Sequence, residues 1–257
     1  MSEMETYDSD GFVVLRGALP ASLCSETGQE VIGEYRRLNE AGWRFASSGR
    51  LAGHLNLTLG PSGRALLAGL EAARVPKLIN GLCGEPMALA QAAGNLNLPG
   101  SNHQNYHIDG IFTARTMIAN VCLVATDNSN GATELVAASH QTKLAYWRFR
   151  ADRWPRRGVR PALSPGDVLL RPSTLWHRGT PNHSAVPRPM AAFVWASAEQ
   201  VDPLMVEREL DGPLTIYGNK FYGRWRKMKE FTAVRLPWLD EAIRLGRSRL
   251  TERGTSA

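Results

Sequence analysis

Cysteine is scarce in this chain: Cys24, Cys83 and Cys122 are odd in number and far apart, with no CxxC pair. That pattern supports neither a disulfide framework nor a thiolate zinc site, and the thiols read as reduced and buried in a cytoplasmic protein. No apolar run approaches the roughly 18 residues of a membrane span. The opening MSEMETYDSDGF is acidic and lacks the basic-then-apolar layout of a secretory signal. A zinc-finger pattern, a basic heptad region and an RNP-like aromatic strand are also missing. The formal net charge of +6 is therefore read as a solvated basic surface, and no nucleic acid and no membrane is expected as a partner. Without an internal repeat, a low-complexity stretch or a dividing linker, residues 1–257 are expected to form one domain.

What is present is ordinary in bulk: 43% hydrophobic and 21% charged residues, in a chain long enough for a sizeable core. YDSDGFVVLRGALP predicts a turn at Asp10-Gly11 and a short strand over 12–15. Pro20 and Gly42 bracket a helix over 21–41. Leu67, Leu70, Val75, Leu78 and Ile79 have helical spacing over 66–82, where Pro76 should break or kink the helix. After Pro86, short apolar runs such as MALAQAAGNLNL, TMIANVCLVAT and DVLLRPSTLWH alternate with turn signals. This texture predicts a mainly β core over about residues 87–198, a sandwich or barrel with flanking helices. The tail LPWLDEAIRLGRSRL returns to helical periodicity.

The segment NYHIDG, residues 105–110, carries the chemistry. If it is a strand, His107 and Asp109 project from one face, where they can grip a metal, share a proton or satisfy each other. His177 follows 70 residues later, and Arg188 eleven residues after that. Two imidazoles and one carboxylate with open positions make the facial triad of non-haem Fe(II) oxygenases. A 2-oxo acid can chelate through two of the open sites and dioxygen can take the third. The acid's remote carboxylate then calls for a fixed, bidentate cation, a role for which Arg188 is placed. Spacing alone leaves the partner open, because His54, His103, His140 and His183 are also present and His183 competes with His177. A core histidine satisfied by its neighbour, or a surface arginine between prolines, fits each piece taken singly.

Taken together, the motifs resemble the phytanoyl-CoA dioxygenase (PhyH-like) family of Fe(II)/2-oxoglutarate-dependent oxygenases. The likeness covers nearly the whole chain. DGFVVLRGAL is similar to the family's opening strand, NYHIDG carries its HxD, and NGATELVAASHQ is similar to its NGxLxxxPGSH segment, with Ala138 where glycine is usual. LSPGDVLLRPSTLWHRGTPNHSAVPR is similar to the closing block. The resemblance implies a double-stranded β-helix, a cupin-like jelly roll. It implies His107, Asp109 and His177 as iron ligands, which decides against His183, and Arg188 as the group on the distal carboxylate of 2-oxoglutarate. Asn120 and Asn97 fall where side chains line the oxoglutarate pocket. Fe(II), 2-oxoglutarate and O2 are the implied cofactors, and the implied reaction oxidises an unactivated C–H bond of a small polar molecule in natural-product biosynthesis. A carboxylate at position 109, where family halogenases have Gly or Ala, argues against halogenation. GNLNLPGS and LWHRGTPNHSAVPRP are similar to segments of the kanamycin B dioxygenase branch.

One cluster cuts against that branch's polycationic amino-sugar substrate. Arg148, Arg150, Arg153, Arg156, Arg157 and Arg160 are interleaved with Tyr146, Trp147, Phe149 and Trp154. As a loop over the active-site mouth they suit an anionic or aromatic small-molecule substrate; as a solvated crossing loop they carry no such meaning. GNKFYGRWRKMKEF, with Lys220, Arg224, Arg226, Lys227 and Lys229, has the same two readings. Nothing in the sequence decides against a homo-oligomer. Two other classes stay open: a zinc-dependent hydrolase or lyase on the same triad, and a non-catalytic β-sandwich that binds a small molecule.

Overall fold

The computed structural model describes residues 2–43, 53–109, 115–217 and 224–254. Helix α1 (Glu3–Asp10) opens on a capping box: the Glu5 N–H donates to Ser2 Oγ, and the Ser2 N–H donates to the Glu5 carboxylate. Strand β1 (Val13–Leu15) and the amphipathic helix α2 (Ala21–Glu40) follow, then β2 (His54–Thr58). The helical stretch expected over 66–82 is two helices, α3 (Pro61–Ala72) and α4 (Val75–Cys83). The break comes at Arg74, which sits in the left-handed region at φ 58°, and Pro76 lies in the first turn of α4, where its missing N–H costs nothing.

The β core then runs β3 (Met87–Asn97), β4 (Thr116–Cys122), β5 (Glu134–Val136), β6 (Gly158–Val159), β7 (Val168–Pro172), β8 (His177–Arg178) and β9 (Arg188–Ser197). A short helix α5 (Tyr146–Ala151) and a 3-10 turn (Trp154–Arg157) lie between β5 and β6. Helix α6 (Pro203–Asp211), strand β10 (Thr215–Tyr217) and helices α7 (Arg224–Arg235) and α8 (Pro237–Gly254) complete the described chain. Seven strands form one antiparallel sheet in the order β1-β7-β4-β9-β3-β2-β10, and β6-β5-β8 form a second. The fold is thus mainly β with flanking helices, a jelly roll. Among the described residues no helix is long and apolar enough to cross a membrane.

Strand periodicity divides the large sheet into two faces. Met117, Ala119 and Val121 of β4 pair in register with Trp195, Phe193 and Ala191 of β9, and all six are buried with Leu55, Leu57 and Leu70 in the main core. The alternate residues form the other face. Ile118 and Asn120 lie opposite Val194 and Ala192, and Ile118 also lies opposite Arg171 of β7. That second face, rich in amides, is the wall of a cavity.

Ala138, just after β5, adopts φ +61° where a non-glycine residue is strained, and its N–H donates to the Asp10 carbonyl. Ala138→Gly is expected to stabilise the fold by about 1 kcal/mol, because glycine holds a left-handed conformation without a Cβ clash. Thermal denaturation should show a rise of about 2–4 °C.

Candidate active site

His107 and His177 face each other across an isolated antiparallel bridge, each backbone N–H donating to the other's carbonyl at 3.0 Å. Residues 105–109 are therefore not the strand that their pattern predicts, and Gly110 lies outside the described residues; one bridging residue does the work of a strand. His177, likewise, does not end β7 but opens β8 in the second sheet. The imidazole centroids are 4.3 Å apart. Asp109 Oδ1 lies 3.5 Å from His107 Nε2, and Asp109 Oδ2 lies 3.3 Å from His177 Nε2. One ligand atom from each residue falls within 4.8 Å of the other two.

The tautomers explain why this cluster suits a cation. His107 Nδ1 is 2.8 Å from the Asn105 carbonyl and His177 Nδ1 is 2.9 Å from the Leu175 carbonyl. A carbonyl only accepts, so both Nδ1 atoms carry a proton, and each imidazole in its neutral form presents the Nε2 lone pair. Two such lone pairs and a carboxylate can then converge on one cation. Burial, with Arg171 nearby, holds the His177 imidazole well below its ordinary range, so a proton is a poor solution. A metal ion is a good one. Burial alone would raise the Asp109 carboxyl, but the Arg171 guanidinium, by charge and by its hydrogen bond, outweighs it and holds that carboxyl well below the usual range.

A cavity of about 800 Å³ opens beside the triad. Asn56, Gln91, Asn95, Gln104 and Asn120 supply amides to its wall. Arg188 is 2% exposed at the head of β9. It donates from Nη1 to Asn95 Oδ1 at 2.9 Å and from Nη2 to the Gly131 carbonyl at 2.8 Å. Both partners are neutral. Among the described residues no carboxylate pairs with this guanidinium, and its Nε is buried without a partner. Burial brings its pKa down to about 10. A buried cation served only by neutral acceptors can receive an anion.

Asn120 lines the cavity, accepting from Arg171 Nε at 3.2 Å. Asn97 does not. It sits behind Arg188, fully buried, donating to the Thr180 carbonyl at 2.9 Å and reaching the Gly131 carbonyl at 3.5 Å. Gly131 has φ +87°, and any Cβ there would strike the Asn97 amide. Asn95, two residues earlier on the same face of β3, takes the wall position instead. Arg171, not among the residues that the motifs single out, is 5% exposed and donates from Nη2 to Asp109 Oδ2 at 2.7 Å. Its signal was available: a single arginine inside the apolar run VLLRP must be buried and paired. His183, His103 and His140 lie outside the triad.

The arginine cluster is not a lid on this cavity. Arg150 pairs with Glu241 at 2.6 Å, Arg160 with Glu134, and Arg157 stacks over Trp154 at 4.4 Å. Arg150, Arg156, Arg160 and Arg178 border a separate depression around the buried Glu134. Beneath them Phe149 stacks on Trp176 at 4.3 Å and meets Tyr106 edge-on at 5.3 Å. Lys220 of the second basic stretch lies outside the described residues.

A family model described as phytanoyl-CoA dioxygenase (PhyH) matches residues 7–190, a span that contains the triad and Arg188. The chain belongs to the phytanoyl-CoA dioxygenase (PhyH) family. As a PhyH protein it is a non-haem iron oxygenase that uses 2-oxoglutarate and O2. Solved structures share the fold. AviO1 from Streptomyces viridochromogenes Tue57 is 17% identical with a TM-score of 0.61, covering 78% of this chain and 96% of its own. EctD from S. alaskensis with bound Fe is 18% identical with a TM-score of 0.61, covering 85% and 87%. The epimerase SnoN, in complex with Fe3+, alpha ketoglutarate and nogalamycin RO, is 21% identical with a TM-score of 0.60, covering 82% and 89%.

One cavity residue of this PhyH chain titrates in an informative way. His54 contacts the Asn102 carbonyl through Nε2 at 2.8 Å, and burial brings its pKa down from 6.5 to about 4. Between those values the unfolded chain binds a proton that the folded chain refuses. Stability is therefore full above pH 6.5 and falls as pH drops toward 4. Urea denaturation at about pH 7 and about pH 5 measures that slope. His54→Gln should lessen it, leaving the share of His103, His140 and His177, which burial also holds low.

Proposed function

We propose that His107, Asp109 and His177 hold Fe(II), that Arg188 and Asn95 receive the distal carboxylate of 2-oxoglutarate, and that Asn120 lines the same subsite. The observation that carries this reading is the pairing of three converging acceptors with a buried guanidinium that has no counter-ion, in one cavity. When bound, iron and 2-oxoglutarate couple decarboxylation of the oxo acid by O2 to oxidation of a substrate C–H bond. The chain's own residues position. The Asn105 and Leu175 carbonyls fix the imidazole tautomers, and Arg171 ties one oxygen of Asp109. Ile118, Ala192 and Val194 give the cavity an apolar strip on which a C–H-bearing face can rest. A zinc hydrolase on the same triad gives Arg188 no task, and a passive binding sandwich gives none to the tautomers.

The substrate we infer is a small, polar natural product that is neutral or anionic, oxidised by hydroxylation or a related hydrogen abstraction; Asp109 argues against halogenation. The likeness to the kanamycin B dioxygenase branch favours a sugar-like molecule, and the amide wall supports that. A polycation fits less well: Asp109, already bonded to Arg171, is the only acidic residue among the described residues of the wall. The activity is assigned to a single domain, residues 1–257. Anaerobic addition of Fe(II) and 2-oxoglutarate should give the visible charge-transfer band of the chelate, and His107→Ala/His177→Ala should abolish it. Succinate release should then respond to sugar-like neutral compounds more than to aminoglycosides. A band that never forms, or that survives His107→Ala/His177→Ala, overturns the assignment.

A further inference from the structure

The family model ends at residue 190, yet helix α8 (Pro237–Gly254) touches the metal-facing segment directly. Asn105 Nδ2 donates to Asp240 Oδ2 at 2.7 Å, and Arg244 Nη2 donates to the Tyr106 carbonyl at 2.7 Å. These are the two residues immediately before His107. Asn105 is also the residue whose carbonyl fixes His107 Nδ1 at 2.8 Å. One side chain of α8 therefore grips the side chain of Asn105, while that residue's main chain orients the imidazole. The helix is itself anchored on α5. Glu241 accepts from Arg150 Nε at 2.6 Å and from Tyr146, Ser248 Oγ accepts from the Trp147 N–H at 3.1 Å, and Arg244 lies 4.4 Å over the Tyr146 ring.

Tyr106 is also held by its side chain, whose hydroxyl donates to Glu134 and whose ring meets Phe149 at 5.3 Å and lies under Arg178 at 4.2 Å, but the main chain of 105 and 106 has less support. The segment belongs to no ladder, and its regular pairing is the single bridge at His107. We propose that Asp240 and Arg244 are positioning residues for His107, so that metal binding and docking of α8 are energetically coupled. This rests on the reading of His107 as a metal ligand. Coupling of this sort is reciprocal: whatever affinity the docked helix adds to the metal, the metal returns as protection of the helix. Groups that orient a ligating histidine from outside the coordination sphere typically change metal affinity by about 10–100-fold.

The test uses the full chain with Co(II) as probe in the presence of 2-oxoglutarate. Visible absorption titrations should show the Kd for Co(II) rising about 10-fold or more in Asp240→Ala/Arg244→Ala, with Arg244→Lys retaining part of the affinity lost in Arg244→Ala. Amide hydrogen exchange supplies the reciprocal measurement and needs no variant. Co(II) should slow exchange in 237–254 more than in α3 (Pro61–Ala72), which is not part of this contact. Equal Kd values for the variant and the unaltered chain, or equal slowing of α3 and α8, overturn the coupling. If the unaltered chain binds no Co(II), or His107→Ala binds it as well, the metal-centre reading itself fails, and the two failures are thus told apart.

Discussion

Arg188→Met is expected to raise the Kd for 2-oxoglutarate by about two to three orders of magnitude, measured by titrating the charge-transfer band, while metal affinity moves only a few-fold. The magnitude follows from burial. Losing one partner of a buried, hydrogen-bonded charge pair costs roughly 2–5 kcal/mol, and each 1.4 kcal/mol is tenfold. Arg188 is 2% exposed, so water does little to screen the loss. Methionine keeps most of the volume, and the effect on folding runs the other way from the effect on binding. The unliganded protein sheds a buried charge that has only Asn95 and Gly131 for company, at the expense of leaving those two acceptors unpaired. Those terms oppose each other at about 1–3 kcal/mol each, so the melting temperature without oxoglutarate should change little. In the unaltered chain oxoglutarate should raise that temperature, and in Arg188→Met it should not. A variant that still binds oxoglutarate within a few-fold of the original would remove the co-substrate subsite from this position.

Phe149→Ala should be the most destabilising single change. Phe149 is fully buried between Trp176 and Tyr106, the residues that immediately precede the two metal-facing histidines. Truncating a buried phenylalanine costs about 3–5 kcal/mol. In a chain of this size that lowers the melting temperature by roughly 10 °C. Equilibrium urea denaturation should show a lower midpoint at an unchanged slope. Because Tyr106 and Trp176 carry the backbone of the His107–His177 bridge, metal affinity should fall as well. Phe149→Leu should recover more than half of both losses. Loss of stability with unaltered metal affinity would show that the aromatic cluster and the bridge are independent.

Much of the site could be read from residue type and order. HxD, the distal histidine and the arginine eleven residues beyond it are chemistry-bearing groups whose order is characteristic, and the β texture after Pro86 is local. What could not be read has a common cause. Arg171 finds Asp109 62 residues away, Arg150 finds Glu241 91 residues away and Arg160 finds Glu134 26 residues away. Without those partners a basic, aromatic stretch resembles a ligand-binding loop; with them it is an ion-paired buttress. Asn95 and Asn97 share one parity on β3, and alternation alone cannot rank them. Only the close approach of Gly131 moves Asn97 behind the wall. The capping box at Ser2 and Glu5 is a short-range signal of α1 that the acidic composition of the segment masked. Strand pairing was misread at NYHIDG because the i, i+2 rule needs two extended residues, not a ladder.

If Arg188 holds the distal carboxylate as proposed, its guanidinium, which has no counter-ion among the described residues, also bears on how a catalytic cycle ends. Succinate keeps the distal carboxylate of its parent oxo acid, so it inherits the same electrostatic welcome. What it lacks is the keto-acid end that grips the other side. By-product departure is thus governed by the loss of one of two handholds, and added dicarboxylates of similar length should act as competitive inhibitors whose potency tracks the charge at position 188.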